Sequence, residues 1–247
     1  MKTQTLLKSF KTAGDKLLLL DYDGTLVNFT PQPKAAKPDR RLLNLLTKLS
    51  QRSDLDVVIL TGRASKDIDT IIGHLPIQIL AEHGAMVKKD GVWSQHIEED
   101  GKWKNKIFPV LIEYALRCPG AFVEEKPFAL SWHYREAKEK VARKVVADML
   151  EEVSWYQSKY NLKVLNGKKV FDIMPNLVDK GCAALLLLHQ KKYASVLSIG
   201  DDKTDEAVFK ALLPLENCLT IKVGQESSLA KHCVSNPDEV LSLLESL

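Results

Sequence analysis

The sequence predicts an α/β fold in which a doubly wound, Rossmann-like parallel sheet is interrupted by a small α+β domain. Three observations support this prediction. Short apolar runs, typical of strands buried on both faces, alternate with helical patterns near both ends of the 247-residue chain. The middle of the chain instead follows the order αββαββ. Several of the apolar runs end abruptly in acidic or hydroxyl side chains, which is typical of ligand sites at the carboxyl edge of a parallel sheet.

The first part of the predicted core contains three strands and two helices. The strands are expected at 16–20, 56–60 and 78–81. Asp39 is expected to cap a helix whose leucines recur at helical spacing, and a second helix is expected to end at Gly73. A lead-in helix over about 3–10 precedes this part. A hairpin around Asp90-Gly91 follows it.

The inserted domain is predicted over residues 102–176, leaving 1–101 and 177–247 as the core domain. Its helices are expected at 102–117 and 137–157. Its strands are expected at 122–124, 130–134, 162–165 and 169–173, with a turn at Asn166-Gly167 between the last two. The parallel pattern then resumes with strands at 195–199 and 218–223 and helices around them. We expect the inserted domain to close over a substrate through linkers near Gly101 and Pro175-Asn176.

Composition predicts an ordinary soluble globular protein. Hydrophobic residues make up 45% of the chain and charged residues 27%. The net charge of +3 is small, so no nucleic-acid or membrane partner is expected. Four scattered cysteines indicate reduced thiols in a cytoplasmic protein, with neither a disulfide framework nor a zinc site. No signal peptide and no apolar run long enough to span a bilayer is recognised.

The stretch LLLLDYDGT places two carboxylates directly after the first buried strand. Alternation along the strand points Asp21 and Asp23 to the same side, with Tyr22 opposite. Two carboxylates this close repel each other, so a hard cation such as Mg2+ is the natural compensation. The alternative interpretation is a turn in which Asp and Gly serve only the backbone.

Two further strand ends strengthen the interpretation as a site. Thr61-Gly62 offers a hydroxyl and backbone N–H groups that suit a phosphate. Asp201 follows the strand at 195–199, with Asp202 and Asp205 just beyond it. Lys180 opens a helix and can offset the charge of a phosphate. Several acids around one point predict a bound metal, because unpaired buried charge is costly.

The order DYDGT, LTGR, DKG and GDDKTDE resembles the four motifs of the haloacid dehalogenase superfamily of phosphotransferases. This resemblance implies that Asp21 is the nucleophile and forms an aspartyl-phosphate. Asp23 would protonate the leaving sugar oxygen and then activate water. Thr61 and Lys180 would hold the phosphoryl group.

The same resemblance implies a Mg2+ cofactor. The expected metal ligands are Asp21, the Asp23 carbonyl and Asp201. Asp205 would support the waters of the metal or Lys180.

The inserted domain narrows the expected substrate. The runs GAFVEEK and WHYR, together with LAEHGA and the string from Gly200 to Glu206, resemble trehalose-6-phosphate phosphatases over nearly the whole chain. Alternation predicts that Trp132 and Tyr134 pack inside the domain, and Glu82-His83 is interpreted as a core turn. Asp172 stands where this family usually has Glu. The residues expected to bind substrate are Thr25, Gly62, Arg63, Glu124, Lys126, His133, Arg135 and Asp172.

The resemblance implies Mg2+-dependent hydrolysis of trehalose 6-phosphate in trehalose biosynthesis. One alternative is a phosphatase for another sugar phosphate, of the sucrose or mannosylglycerate type. A second is a non-catalytic domain that regulates a trehalose-phosphate synthase. A synthase is in any case a possible partner, as a separate protein or as the other half of a bifunctional chain.

Overall fold

A computed structural model describes residues 7–8, 10–11, 14–30, 35–98, 101–167 and 169–247. Contacts between Cα atoms divide the chain into two compact units. Unit 1 comprises Met1–His96 and Asp179–Leu247, and unit 2 comprises Ile97–Val178.

Unit 1 is built on an eight-stranded sheet with the order β12-β11-β10-β1-β2-β3-β4-β5. The pairs from β12 through β3 are parallel, whereas β4 and β5 are antiparallel. The strands are β1 (Lys16–Leu20), β2 (Leu55–Leu60), β3 (Gln78–Ala81), β4 (Met86–Lys89), β5 (Val92–Gln95), β10 (Ser195–Gly200), β11 (Cys218–Val223) and β12 (His232–Val234). The predicted hairpin around Asp90-Gly91 therefore extends the core sheet.

Helices cover both faces of this sheet, which confirms the doubly wound prediction. The helices of unit 1 are α1 (Arg40–Ser50), α2 (Ser65–Ile72), α5 (Lys180–Gln190), α6 (Lys203–Leu212) and α7 (Pro237–Glu245). Alternate leucines of β1 serve the two layers: Leu18 and Leu20 pack with α1, α2 and α7, and Leu17 and Leu19 pack with α5 and α6. All four are buried, as expected of a central parallel strand.

Unit 2 has the predicted order αββαββ. Its elements are α3 (Lys104–Leu116), β6 (Phe122–Glu125), β7 (Leu130–His133), α4 (Glu139–Tyr160), β8 (Leu162–Gly167) and β9 (Val170–Pro175). The strands form an antiparallel sheet in the order β6-β7-β9-β8. Trp132, Phe171 and Ile173 pack with α3 and α4 in one apolar cluster, and Tyr134 is partly buried against it. The predicted packing role of Trp132 and Tyr134 is confirmed.

The structure corrects several local predictions. Strands β8 and β9 stay paired through Asn166 and Gly167, which lie opposite Phe171 and Val170, so Asn166-Gly167 belongs to the strand and is not the turn. The buried face of Leu162, Phe171 and Ile173 sets this register, because a one-residue slip would turn it outward. Strand β12 was not predicted.

Some predictions reach residues that the structure does not describe. In the lead-in helix predicted over 3–10, residues 7, 8 and 10 are helical, whereas 3–6 and 9 lie outside the described residues. Over the described part of the chain, the helices are all too short or too polar to cross a bilayer.

Candidate active site

The carboxyl end of β1 lies beside the carboxyl end of β10. The Asp21 backbone N–H donates to the Ile199 carbonyl at 3.0 Å, so the chain keeps its register for one residue beyond the strand. Gly24 then adopts a φ of +85°, and a Cβ at this position would lie 2.2 Å from Asp201 Oδ2. A glycine at this position therefore lets the segments that carry Asp21 and Asp201 approach each other.

Lys180 connects two carboxylates at this edge of the sheet. Its Nζ donates to Asp21 Oδ1 at 2.8 Å and to Asp205 Oδ1 at 2.9 Å. All three residues are buried, with exposed fractions of 2% for Lys180, 6% for Asp21 and 4% for Asp205. Asp205 thus contacts Lys180, although 25 residues separate the two in the chain, and its predicted role in supporting Lys180 or the waters of the metal stays a prediction.

Two helix N-termini hold these side chains in place. Asp179 caps α5 by accepting from the Gly181 and Cys182 N–H groups, which places Lys180 as the first residue of the helix. Asp202 caps α6, and Asp205 completes the capping box: its Oδ2 accepts from the Asp201 N–H at 3.0 Å and the Asp202 N–H at 3.1 Å. Asp205 therefore has one oxygen on Lys180 and the other on the backbone.

The electrostatics of this cluster are governed by burial and mutual charge. Burial raises the pKa of Asp21 to about 7; Lys180 opposes this rise, and Asp201 and Asp202 add to it. Burial by itself would lower the pKa of Lys180, but the attraction of Asp205 and Asp21 outweighs burial and keeps this pKa above its ordinary value. Lys180 thus stays a charged ammonium. Its single positive charge does not fully offset the negative charges that surround Asp21.

The donor set fits a hard divalent cation. Carboxylate oxygens of Asp21, Asp201 and Asp205 lie within 4.8 Å of one another. Such oxygens are the ligands that Mg2+ prefers, and a cation between them would offset the excess negative charge. The metal set predicted from sequence contained the Asp23 carbonyl in addition to Asp21 and Asp201, and this set stays a prediction.

Asp23 is held by Arg63. The guanidinium makes a two-pronged contact, with both N–O distances at 2.6 Å, and lies over the Tyr22 ring with Cζ 5.2 Å from the centroid. The Arg63 side chain is 8% exposed and that of Asp23 is 30% exposed. This Arg63–Asp23 contact was not predicted, because 40 residues separate the two in the chain.

The other expected phosphate-binding residues lie near the ends of β1 and β2. Thr61 is buried, its N–H donates to the Leu80 carbonyl at 2.9 Å, and its Oγ1 accepts from the Arg63 N–H at 3.2 Å. Thr25 is also buried, and its Oγ1 lies 3.5 Å from Asp201 Oδ1. The Thr61 hydroxyl therefore contacts its own loop, whereas the Thr25 hydroxyl lies beside the residue that follows β10.

Lys222 is a site residue that sequence reasoning missed. It lies near the end of β11, is 3% exposed, and donates from Nζ to the Asp201 carbonyl oxygen. A lysine inside an otherwise apolar strand was the available signal, because lysine is seldom fully buried without a partner. Asp202 is a further acid there, and it is exposed. Partial desolvation by neighbouring protein atoms would raise its pKa, but Lys180, a hydrogen bond from Thr204 and the charge of His83 lower it to about 2.

Unit 2 carries a separate set of polar residues on one face of its sheet. This face is opposite the one that packs on α3 and α4. His133 Nε2 lies 2.8 Å from Glu124 Oε2, and the Phe122 ring stacks on the His133 ring at 4.6 Å between centroids. Asp172 accepts from Ser131 Oγ. Lys126 Nζ lies 3.5 Å from the same Asp172 oxygen.

This face brings together four of the five predicted substrate-binding residues of unit 2. The four are Glu124, Lys126, His133 and Asp172. Strand β7 ends at His133, and Arg135 lies in the turn that follows. The alternation along this strand therefore does not extend to Arg135.

Comparison with known proteins agrees with this geometry. The model of the trehalose-phosphatase family matches residues 19–238. The bifunctional trehalose-6-phosphate synthase/phosphatase of Thermoproteus tenax is 37% identical over 100% of this chain and 34% of its own length. The chain thus spans about a third of the length of the curated relatives it matches.

Solved structures show the same fold. The C-terminal domain of C. albicans trehalose-6-phosphate phosphatase superposes with a TM-score of 0.89 at 26% identity, covering 99% of this chain and 95% of that one. The C-terminal domain of the Candida albicans trehalose synthase regulatory protein has a TM-score of 0.82 at 18% identity, covering 98% and 97%. The second similarity concerns the fold alone. The match of the family model over most of the sequence shows that this chain belongs to the trehalose-phosphatase family.

Proposed function

We propose that this chain hydrolyses trehalose 6-phosphate to trehalose and inorganic phosphate through an aspartyl-phosphate on Asp21. The observation that carries the proposal is the buried contact of Asp21 with Lys180 and, through it, with Asp205, at the carboxyl end of a parallel sheet. Membership of the trehalose-phosphatase family supports the choice of substrate. The intact set of charged residues favours catalysis over a purely regulatory role, which the shared fold alone would also allow.

In the first step, a carboxylate oxygen of Asp21 attacks phosphorus while the bond from phosphorus to the sugar oxygen breaks. Lys180 donates to the other carboxylate oxygen, Oδ1, and so orients Asp21 before the reaction begins. No further loss of conformational entropy is then needed to align the nucleophile. The proton needed by the leaving oxygen comes from Asp23. Because Arg63 contacts both oxygens of Asp23, one of these contacts must open for Asp23 to carry that proton.

In the second step, water attacks phosphorus and the bond between phosphorus and Asp21 breaks. Asp23 accepts the proton of this water, and inorganic phosphate leaves with Asp21 regenerated. Arg63 contacts both oxygens of Asp23 and holds this carboxylate in place for its role as a base at this point. Thr61 and Gly62 are proposed to receive the phosphoryl oxygens, whose charge needs fixed donors.

The activity is proposed to depend on Mg2+. Asp21, Asp201 and the Asp23 carbonyl would hold the ion, with Asp205 beside them. When bound, Mg2+ would neutralise charge as an anionic phosphoryl group approaches these carboxylates.

The remaining proposals concern the setting of the reaction. On the face of unit 2, Glu124, Lys126, His133 and Asp172 are proposed to recognise sugar hydroxyls, and Arg135 is retained as a candidate on family resemblance. A trehalose-phosphate synthase is the proposed protein partner, because the relatives include a bifunctional synthase/phosphatase. The cytoplasm is the proposed location, on the pattern of scattered cysteines.

The decisive experiment measures phosphate release from a panel of sugar phosphates, with Mg2+ or EDTA, for the wild type and Asp21→Asn. We expect a strong preference for trehalose 6-phosphate, loss of activity in EDTA, and a loss of at least about 10³-fold in the variant. Similar rates on several sugar phosphates would contradict the assigned substrate but not the core chemistry. Inactivity on every substrate would favour the regulatory alternative.

A further inference from the structure

The turn that follows β3 has an unusual backbone. Glu82, His83 and Gly84 have consecutive positive φ values of 51°, 56° and 97°. Glycine adopts this region readily, but Glu and His do so at a cost. Both side chains are buried, with 2% of Glu82 and 9% of His83 exposed. Strain of this kind persists only where surrounding contacts hold it, and it occurs often at functional sites.

Four hydrogen bonds join this turn to the segment after β2. The Glu82 N–H donates to the Arg63 carbonyl, and the His83 N–H donates to the Thr61 carbonyl, both at 2.9 Å. The Glu82 carboxylate accepts from the N–H and the Oγ of Ser65, each at 3.3 Å. The turn is therefore bonded to the first and third residues of this loop, Thr61 and Arg63, and to Ser65, the first residue of α2.

The His83 ring contacts the residue in the middle of this loop. A Cβ placed on Gly62 would lie 2.6 Å from His83 Cε1 and 2.8 Å from Nε2. The imidazole thus packs directly on the Gly62 backbone, in space that only glycine leaves open. The loop can move toward the ring only if the strained turn also moves.

We infer that Glu82 and His83 are positioning residues for phosphate: their strained turn holds the backbone of Thr61 and Gly62 where it receives a phosphoryl group. This inference rests on the proposed function, in which Thr61 and Gly62 bind that group. It assigns to the turn a role beyond core packing. Because the turn acts on the phosphate-binding loop, its loss should weaken every phosphate ligand equally, whatever sugar is attached.

The test uses the 247-residue chain and four variants of the turn. His83→Asn and His83→Gly remove the ring but keep residues that tolerate a left-handed backbone. Glu82→Ala removes the acceptor for Ser65, and Glu82→Gln restores one acceptor oxygen. Asp90→Ala is the matched control, because Asp90 has a φ of 51° in the exposed β4–β5 hairpin.

The first readout is the affinity for inorganic phosphate, measured by calorimetry with Mg2+ present. The second is kcat/KM for trehalose 6-phosphate and for p-nitrophenyl phosphate. For His83→Asn, His83→Gly and Glu82→Ala, we expect at least about tenfold weaker phosphate binding and a loss in kcat/KM on the order of 10²-fold, equal for both substrates. Glu82→Gln should retain most of the affinity, and Asp90→Ala should lower only the melting temperature.

Two results would overturn the inference. One is unchanged phosphate affinity in His83→Asn and Glu82→Ala. The other is a loss of binding no greater than the loss of folded protein by circular dichroism, which would leave the turn a purely structural role. The proposed function has its own test. A wild type that binds phosphate but does not hydrolyse trehalose 6-phosphate would refute the assigned substrate. The comparison of phosphate affinities would still decide the role of the turn.

Discussion

Unit 1 and unit 2 both carry clusters of paired charges, but the two clusters differ in burial. In unit 1, Lys180 and its partners Asp21 and Asp205 have side chains that are at most 7% exposed. In unit 2, the side chains of Glu124 and His133 are 39% and 23% exposed. Burial strengthens electrostatic interactions, whereas water screens them. This difference suits the chemical role proposed for the unit 1 cluster and the recognition role proposed for the unit 2 cluster.

The origin of each cluster also differs. The unit 1 cluster gathers residues from the ends of separate strands and helices, and 159 residues separate Asp21 from Lys180. The unit 2 pairs come from neighbouring strands, so ordinary cross-strand register places Glu124 near His133 and Ser131 beside Asp172. A change in the unit 1 cluster should consequently disturb chemistry and folding together, and a change in the unit 2 pairs should mainly affect selectivity, with only a small effect on stability.

The largest predicted effect comes from Lys180→Met. This variant leaves Asp21 and Asp205 buried without their shared cation, so we expect the free energy of unfolding to fall by about 3 kcal/mol. Loss of the fixed ammonium should also lower kcat/KM for trehalose 6-phosphate on the order of 10³-fold. Urea unfolding and steady-state kinetics measure the two losses.

Lys16→Met is the matched control for Lys180→Met. Lys16 is as buried as Lys180 and lies 2.7 Å from Asp54, at the opposite end of β1. Asp54 is 45% exposed and can be solvated, so the cost should be about 1 kcal/mol, with kcat/KM of the folded protein unchanged. Equal kinetic losses in the two variants would show that burial of a lysine, and not its place in the site, governs activity.

The second prediction concerns metal binding in unit 1. Because the carboxylates of Asp21, Asp201 and Asp205 repel one another in the absence of a cation, Mg2+ should stabilise the folded chain. At about 100 times its Kd, the gain should be about 2.7 kcal/mol. Denaturant unfolding with Mg2+ and with EDTA measures it. Asp201→Asn should lose most of the gain, and an equal gain in wild type and variant would place the ion elsewhere.

Sequence reasoning predicted what depends on local pattern. The apolar runs identified the strands, and the rule that parallel strands share a carboxyl edge brought Asp21, Thr61 and Asp201 to one place. Asp39 was predicted as a helix cap, and it accepts from the Leu42 N–H at 2.8 Å. These features depend on short segments whose chemistry is visible in the chain.

What sequence reasoning missed depends on distant contacts. Three features of this kind were missed: the Arg63–Asp23 pair, the buried Lys222, and the left-handed backbone of Glu82 and His83. Each follows from packing of segments that are 17 to 40 residues apart. Local propensity does not favour a Glu at positive φ, and His adopts such values only in a small minority of cases. The turn between β8 and β9 was misplaced because Asn-Gly is a strong local turn signal, whereas the buried face of the sheet determined the register.

The third prediction concerns selectivity in unit 2. Asp172→Asn removes a charge that Ser131 and Lys126 contact. The loss of one hydrogen bond to a sugar hydroxyl should lower kcat/KM for the sugar substrate about tenfold. We expect the ratio of kcat/KM for trehalose 6-phosphate to that for p-nitrophenyl phosphate to fall by this factor. Asp172→Glu should preserve the ratio. If Asp172→Asn lowered both rates equally, the separation between a chemical unit and a recognition unit would fail.

The smallest predicted effect is the pH dependence of the Glu124–His133 pair. The hydrogen bond from His133 holds the pKa of Glu124 below its ordinary value of about 4.3, although burial opposes this shift. The pair therefore contributes stability above about pH 4.3, and the contribution is lost as pH falls through the lowered pKa. Because the Glu124 side chain is 39% exposed, screening by water should keep this contribution to the free energy of unfolding below about 1 kcal/mol. The free energies of unfolding of the wild type and Glu124→Gln, measured in urea, should thus converge as the pH falls from about 5.5 to about 3. The matched variant Glu125→Gln, on the other face of the same strand, should show no such convergence; equal behaviour of both variants would mean that the pair is too solvated to stabilise unit 2.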